Sequence, residues 1–406
     1  MIAGKHVLGL SAGVFLAGCT GFDRPDNIAP VESGGGYQAQ YRTPDVARAN
    51  AGFLRSAAMN RQKCLPARGD AFDSNSGKGN AIPAFELRGE RLSRNDLLDI
   101  RIDGDETFTG TYVVSRDGTL KLPYLQPVAA QGRSADEVES AIARQLIANE
   151  FYSSLPRLSV RVADFASVSV GVSGAVFEPH LVEIGGVAGN QLDPGRQQAL
   201  GASTEARNLS AALRAVGGVR PDADLSAVEL RRNGRLYRLD LRGVFEGRNP
   251  VDIMLLTGDD IRVPDRQCFQ DDLMRPSPVS PPGITLFLSN LTQPATDNAS
   301  SAIAREVREM PYGTRYLQAV IDTNCVGGPR VSSADRSAVL FTRNPVTGVS
   351  VVIERDIEDL LRRADRDDFD PYLLPGDALA CYDSTITNIT EIGRVLGVIG
   401  AGFLVR

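Results

Sequence analysis

The sequence predicts an α+β fold divided among several domains, and three observations carry that expectation. The chain has 406 residues, 42% of them hydrophobic, enough for two to four separate cores. Between Leu97 and Val162, short apolar runs surround a single capped helix. Beyond Val170, the chain repeats one pattern twice.

The N-terminus is set apart from the fold. Lys5 precedes an apolar run, Val7 to Leu16, of secretory length. Leu16-Ala17-Gly18-Cys19 follows and resembles a bacterial lipobox. In that motif the peptide is cut before the Cys, whose thiol takes a diacylglycerol, so Cys19 is the expected lipidation site, carrying chains such as palmitate. Each buried acyl methylene contributes about 0.8 kcal/mol, and several chains together anchor stably. Thr20, rather than Asp, stands next, which by lipoprotein sorting rules favours the outer membrane. Residues 20–85 are rich in Gly, Pro, Ser and Asn and read as a tether, with one weak helix from Val46 to Arg61. The Arg68-Gly69-Asp70 tripeptide reads as a chance occurrence.

Leu97, Ile100 and Ile102 support a first strand, and Thr111 to Val114 a second. Asp117-Gly118 signals a tight turn into a third, Thr119 to Leu122, which Pro123 ends. Ser134-Ala135-Asp136-Glu137 is a capping box opening a helix whose Val138, Ile142 and Leu146 form one buried stripe. Leu158 to Val162 alternates as a strand.

The repeat begins at Val170-Gly171-Val172-Ser173-Gly174 in one copy and Leu286-Phe287-Leu288-Ser289-Asn290 in the other. Leu209 aligns with Leu317, Ser226 with Ser337, and Arg232-Asn233 with Arg343-Asn344. Each copy closes on Leu-Leu-x-Gly-Asp, at Gly258-Asp259 and Gly376-Asp377, where Gly accepts a positive φ and Asp bonds its own backbone. Gln267 to Pro282 reads as a polar, Pro-rich linker, and Ile357 to Arg363 as a short charged helix.

The last stretch, Ser384 to Arg406, would span about 34 Å as a helix. Ile392, Val395, Leu396, Ile399 and Phe403 fall on one face, and Gly393, Gly397, Gly400 and Ala401 on a neighbouring one. Glu391 and Arg394 lie on a third side. Periodicity leaves two readings open: a helix docked on its own domain, or one facing lipid and packing its small residues against other copies.

Four signatures in order carry a further resemblance: N-D-L-L-D-I, V-S-R-D-G-T-L-K-L-P, G-R-S-A-D-E-V-E-S-A-I and P-R-L-S-V-R-V. Together they resemble the export domain of outer-membrane polysaccharide exporters, the Wza-like lipoproteins. Asn95 stands where that family usually has Gly. The two repeat copies resemble its SLBB (β-grasp) domains, although Pro179-His180 replaces the usual Pro-Gly of the first. The second copy is most similar to exporters that work with ATP-driven transporters, the BexD/CtrA/VexA group. The resemblance implies a signal peptide at 1–18, a tether at 19–85 and an export domain at 86–164. SLBB domains at 165–266 and 283–383 would flank a linker at 267–282, with an outer-membrane helix at 384–406. It implies an α-helical barrel built by a ring of copies, an octamer in Wza-like relatives, with the small-residue face packing and the apolar face on lipid. It also implies a polysaccharide substrate, an inner-membrane co-polymerase and an ABC-type exporter as partners.

The compartment allows up to two disulfides among Cys64, Cys268, Cys325 and Cys381, in any of three connectivities. The resemblance favours Cys325 with Cys381, both in shared segments, leaving Cys64 with Cys268. A net charge of −6 and the lack of a basic patch argue against nucleic acid. The chain has only His6 and His180, no phosphate loop and no zinc spacing, so no enzyme, metal or cofactor is expected. His180, beside Pro179, reads as a loop residue. Asp365 to Asp370 lacks the Gly and Glu of a calcium loop and reads as a solvated face or a subunit ion pair. Asp103 to Glu106 reads as a solvent-facing hairpin loop rather than a glycosidase carboxylate pair. The competing expectation is a scaffold or polysaccharide-binding lipoprotein without a pore.

Overall fold

The computed structural model describes residues 64–70, 87–185, 205–248, 252–290, 307–323, 325–326, 337–362 and 369–382. It is a mixed α/β protein with several sheets and few helices among those residues. The first unit contains β1 (Leu97–Ile102), β2 (Asp105–Val113), β3 (Thr119–Leu120), β4 (Val128–Ala129), α1 (Ala135–Ala148) and β5 (Leu158–Asp164). β1 lies between β2 and β5 in an antiparallel sheet. Leu98, Ile100 and Ile102 alternate inward from β1 and are buried. They meet Val138, Ile142 and Leu146 on one stripe of α1 in the same core. The helix starts where expected: Ser134 Oγ accepts from the Glu137 amide, and the Glu137 carboxylate accepts from the Ser134 amide.

Two expectations for this unit need correction. The third strand ends at Leu120 and pairs with β4, outside the sheet of β1 and β2. The Asp117-Gly118 turn therefore redirects the chain into a separate two-stranded ribbon, because Gly118 bonds forward to Ala130 and Gln131. β2 also begins earlier than expected, at Asp105, so Asp105 and Glu106 belong to the strand beyond the hairpin turn.

The next unit contains β6 (Val168–Gly174), β7 (His180–Ile184), α2 (Leu209–Ala215), β8 (Val228–Arg232), β9 (Arg235–Leu239) and β10 (Asp260–Val263). Its sheet runs β7-β6-β10-β8-β9, with β6 and β10 parallel. The last unit contains β11 (Ile284–Asn290), β12 (Val307–Met310), α3 (Tyr316–Asp322), β13 (Ser337–Arg343), β14 (Ser350–Asp356), α4 (Ile357–Arg362) and β15 (Ala378–Tyr382). Its sheet runs β12-β11-β15-β13-β14, again with one parallel pair, β11 and β15. The two sheets share one strand order. In both, the parallel pair demands a long crossover, and a short helix and a hairpin supply it.

The copies match with the registers shifted from those read in the sequence. Gly171 and Phe287 are equivalent, as aligned, since they pair with Asp260 and Ala378. Leu209, however, corresponds to Tyr316 rather than Leu317: their amides donate to the carbonyls of Ile253 and Pro371. In β8 and β13, Leu230 pairs with Ile261 and Leu340 with Leu379. Arg232 thus corresponds to Thr342, not to Arg343. The β8–β9 turn is two residues, Asn233-Gly234, whereas the β13–β14 loop is longer.

The stretch 267–282 is not a loose linker. Phe269 and Met274 are buried in the last unit's core, and Leu273 and Val279 in the middle unit's core. Its apolar residues are divided between two cores, which holds it down. His180 is the first residue of β7, exposed, with Nδ1 2.6 Å from the Glu178 carbonyl. Ile357 and Leu360 bury one side of α4.

Candidate functional site: three buried aspartate turns

One four-residue turn occurs three times: Ser93-Arg94-Asn95-Asp96, Leu256-Thr257-Gly258-Asp259 and Leu374-Pro375-Gly376-Asp377. The third residue is left-handed each time, with φ of 67°, 91° and 86°. Gly takes this conformation freely, and Asn is among the few other residues that tolerate it. The Asp amide donates to the carbonyl of the first residue, at 3.3, 3.1 and 3.1 Å. The amide of the first residue donates to the Asp carboxylate, at 2.6, 2.9 and 2.8 Å. All three carboxylates are buried. The sequence signal was the Asn/Gly-Asp step before an apolar run. That step is plain at Gly258 and Gly376, whereas at Asn95 the sequence shows only an Asn where the resembling family usually has Gly.

A buried carboxylate is costly unless paired, and the three turns differ in what pairs them. Asp96 Oδ1 accepts from Arg207 Nη1 at 2.7 Å. The same guanidinium donates to the carbonyls of Arg91, Ala166 and Leu255 and lies 5.1 Å over the Phe165 ring. Burial pushes the Asp96 carboxyl above its usual range, while the Arg207 hydrogen bond and charge oppose the shift. Asp259 is gripped by Arg232 through Nε at 3.0 Å and Nη2 at 2.6 Å. Arg232 Nη2 also reaches the Met254 carbonyl. Asp377 has no cation on its carboxylate among the described residues. Thr342 occupies the equivalent place to Arg232, and burial pushes the Asp377 carboxyl up to about 7.

The first two turns touch. The Thr257 amide donates to Ser93 Oγ at 3.1 Å, and Gln131 Nε2 donates to the Thr257 carbonyl. Arg207 completes the junction from the residue before the α2 N-cap, Asn208. Its own carbonyl accepts from Leu255, as that of Thr314 accepts from Leu373 in the last unit. The short helices α2 and α3 are each held from outside: Asp252 bonds the Ser210 amide and Asp370 the Leu317 amide. Asp370 is therefore a buried cap rather than part of a solvated face, while 363–368 lie outside the described residues.

A second junction joins the two five-stranded units. Phe177 packs on the last unit's core, and Arg220 Nη1 donates to the Pro345 carbonyl. Phe269 stacks on Tyr372 with ring centroids 6.0 Å apart. The structure joins Cys64 to Cys268 and Cys325 to Cys381. Residues 64–70 lie along the middle unit rather than hanging as a tether. Leu65 bonds Arg266, the Arg68 amide bonds Asp224, and the Gly69 amide bonds Ser226 Oγ. At the far end of the first unit, Tyr124 is 79% exposed and Phe151 lies 6.5 Å from its ring. Tyr152 donates to Asp105 nearby, which raises the phenol to about 12 and lowers the carboxyl.

Among the described residues there is no cluster suited to hold a metal ion, and no helix is long and apolar enough to cross a membrane. The lipobox Leu16 to Cys19 and the whole stretch 384–406, with Gly393, Gly397, Gly400, Ala401 and the apolar face Ile392 to Phe403, lie outside the described residues.

Residues 88–163 match the family model described as polysaccharide biosynthesis/export protein, consistent with the Wza-like export family. The match covers β1 to β5, with the Asp96 turn inside it. No curated protein matches the chain.

Proposed function

We propose, from the polysaccharide export match at residues 88–163, that the protein is a lipid-anchored, passive outer-membrane conduit for capsular or extracellular polysaccharide. The observation that carries this reading is the order of parts. An export-type unit is followed by two five-stranded units of one topology, the arrangement expected of an export domain with two SLBB β-grasp modules. In this reading the domains are 86–164, 165–266 and 283–383. Copies would stack as rings in the periplasm, anchored through Cys19. Residues 384–406 would form the exit pore, with Gly393, Gly397, Gly400 and Ala401 at helix contacts and Ile392, Val395, Leu396, Ile399 and Phe403 on lipid. An inner-membrane ATP-driven exporter would supply the energy through a co-polymerase. The buried junction at Asp96 and Arg207 supports the reading, since a conduit needs its units held in one orientation.

The test is Val405→Cys, labelled in intact cells with a membrane-impermeant thiol reagent against the native-cysteine background. Labelling from outside supports the conduit. Labelling only after the outer membrane is permeabilised overturns it in favour of a periplasmic scaffold without a pore.

A further inference from the structure

The middle and last units contain the same turn in the same place, with one chemical difference. Asp259 sits opposite Arg232, which neutralises it through two nitrogens. Asp377 sits opposite Thr342 in the equivalent register. Both carboxylates are buried, at 2% and 1% exposure, so the last unit retains the acid with no arginine in the equivalent place.

Among the described residues, the surroundings of Asp377 supply no substitute. Its Oδ2 accepts from the Leu374 amide at 2.8 Å, its one well-aligned partner among the described residues. Thr342 Oγ1 is buried beside it: the hydroxyl and the Leu374 amide both oppose the upward shift that burial imposes, although the hydroxyl makes no well-aligned hydrogen bond among the described residues. The neighbouring strand β11 contributes the apolar Leu286. The charged groups of the other elements are engaged elsewhere. Arg343 donates to Gly348, Arg355 to Phe369 and Glu354, and Arg315 to Asp370 and Tyr372. A neutral carboxylic acid fits this pocket better than a carboxylate. It costs less to bury, and its O–H can donate to the Thr342 oxygen.

We propose that Asp377 is a proton-operated latch: protonated, it closes the turn leading into β15 through the Leu374 amide and Thr342; ionised, it loosens that strand. β15 runs to Tyr382, immediately before the C-terminal stretch, and Cys381 ties it to Cys325. Opening would therefore be confined to the Leu374–Asp377 turn and the start of β15. In the middle unit Arg232 holds the corresponding carboxylate. The latch does not depend on the conduit reading, since it concerns the last unit alone.

The sign follows from linkage. Burial pushes the folded acid up to about 7, above the ordinary value of 3.8 that it regains on opening. Between those values the closed form holds one more proton, so rising pH favours opening, by up to about tenfold per pH unit. Above about 7 the effect levels off. The experiment is amide hydrogen exchange on the full chain from pH 5 to 8, corrected for intrinsic rates, on peptides covering 373–382 and, as control, 255–263. The expected result is protection lost with rising pH in 373–382 only, and absent pH dependence in Asp377→Asn, protected throughout. A flat native profile, or the same profile in Asp377→Asn, overturns the proposal. Should Asp377→Asn fail to fold, infrared titration of the native chain decides. A buried carboxylic acid carbonyl band that disappears with a midpoint near 7 supports the latch, and its absence at pH 5 overturns it.

Discussion

Asp96 Oδ1 and Arg207 Nη1, 111 positions apart in the sequence, meet at 2.7 Å with their side chains 0% and 1% exposed. The pair joins the export-type unit to the middle five-stranded unit. Its guanidinium also satisfies three carbonyls drawn from both sides of the junction. The attraction therefore acts where water cannot compete, and the geometry leaves little freedom between the units.

Removing one partner strands the other. Arg207→Met should destabilise the chain by about 3–5 kcal/mol, because Asp96 is left charged and buried. Asp96→Asn together with Arg207→Met should recover part of that loss. Urea unfolding of the single and double variants, with proteolysis near Asp164 to Val168 as a local readout, checks both. Equal losses would show that the charge is not the cause.

Gly218 and Gly247 both have positive φ, 82° and 73°, but only Gly218 is crowded. A Cβ on Gly218 would stand 2.3 Å from the Pro281 nitrogen, while one on Gly247 would meet nothing within 4 Å. Gly247→Ala should cost about 1–2 kcal/mol, the left-handed strain alone. Gly218→Ala should cost about 1–3 kcal/mol more, from overpacking at the connection between the units. Thermal unfolding of the two variants measures the difference.

The disulfides act on different parts. Replacing Cys325 and Cys381 by Ser should weaken the last unit, by about 2–4 kcal/mol. Replacing Cys64 and Cys268 should instead free residues 64–70 from the middle unit. Peptide mapping without reductant, followed by exchange on 64–70 and 378–382, separates the two effects.

For the proposed exit pore, Gly397→Leu should abolish export while the described units still fold. Surface polysaccharide and near-ultraviolet dichroism are measured together. Export at the native rate would remove the packing role of that glycine.

Local chemistry made much of the chain legible. The Ser134–Glu137 capping box and the Val138, Ile142 and Leu146 stripe depend on residues within one or two helical turns, and they formed as expected. Gly258-Asp259 and Gly376-Asp377 were readable as turns for the same reason: Gly permits the conformation and Asp bonds within four residues. The repeat was readable from its order of phrases, and the two sheets share one strand order.

Pairing across the chain was decided only by the tertiary structure. β3 chose β4, because a turn signal says where a chain reverses and not which strand receives it. The pairing of β13 with β15 placed Thr342, not Arg343, where Arg232 stands. Sequence made two of the three aspartate turns legible, at Gly258-Asp259 and Gly376-Asp377. Which of the three aspartates meets an arginine depends on side chains brought together from distant positions, and that decided that Asp96 joins two units, that Asp259 is paired with Arg232 and that Asp377 meets no cation among the described residues.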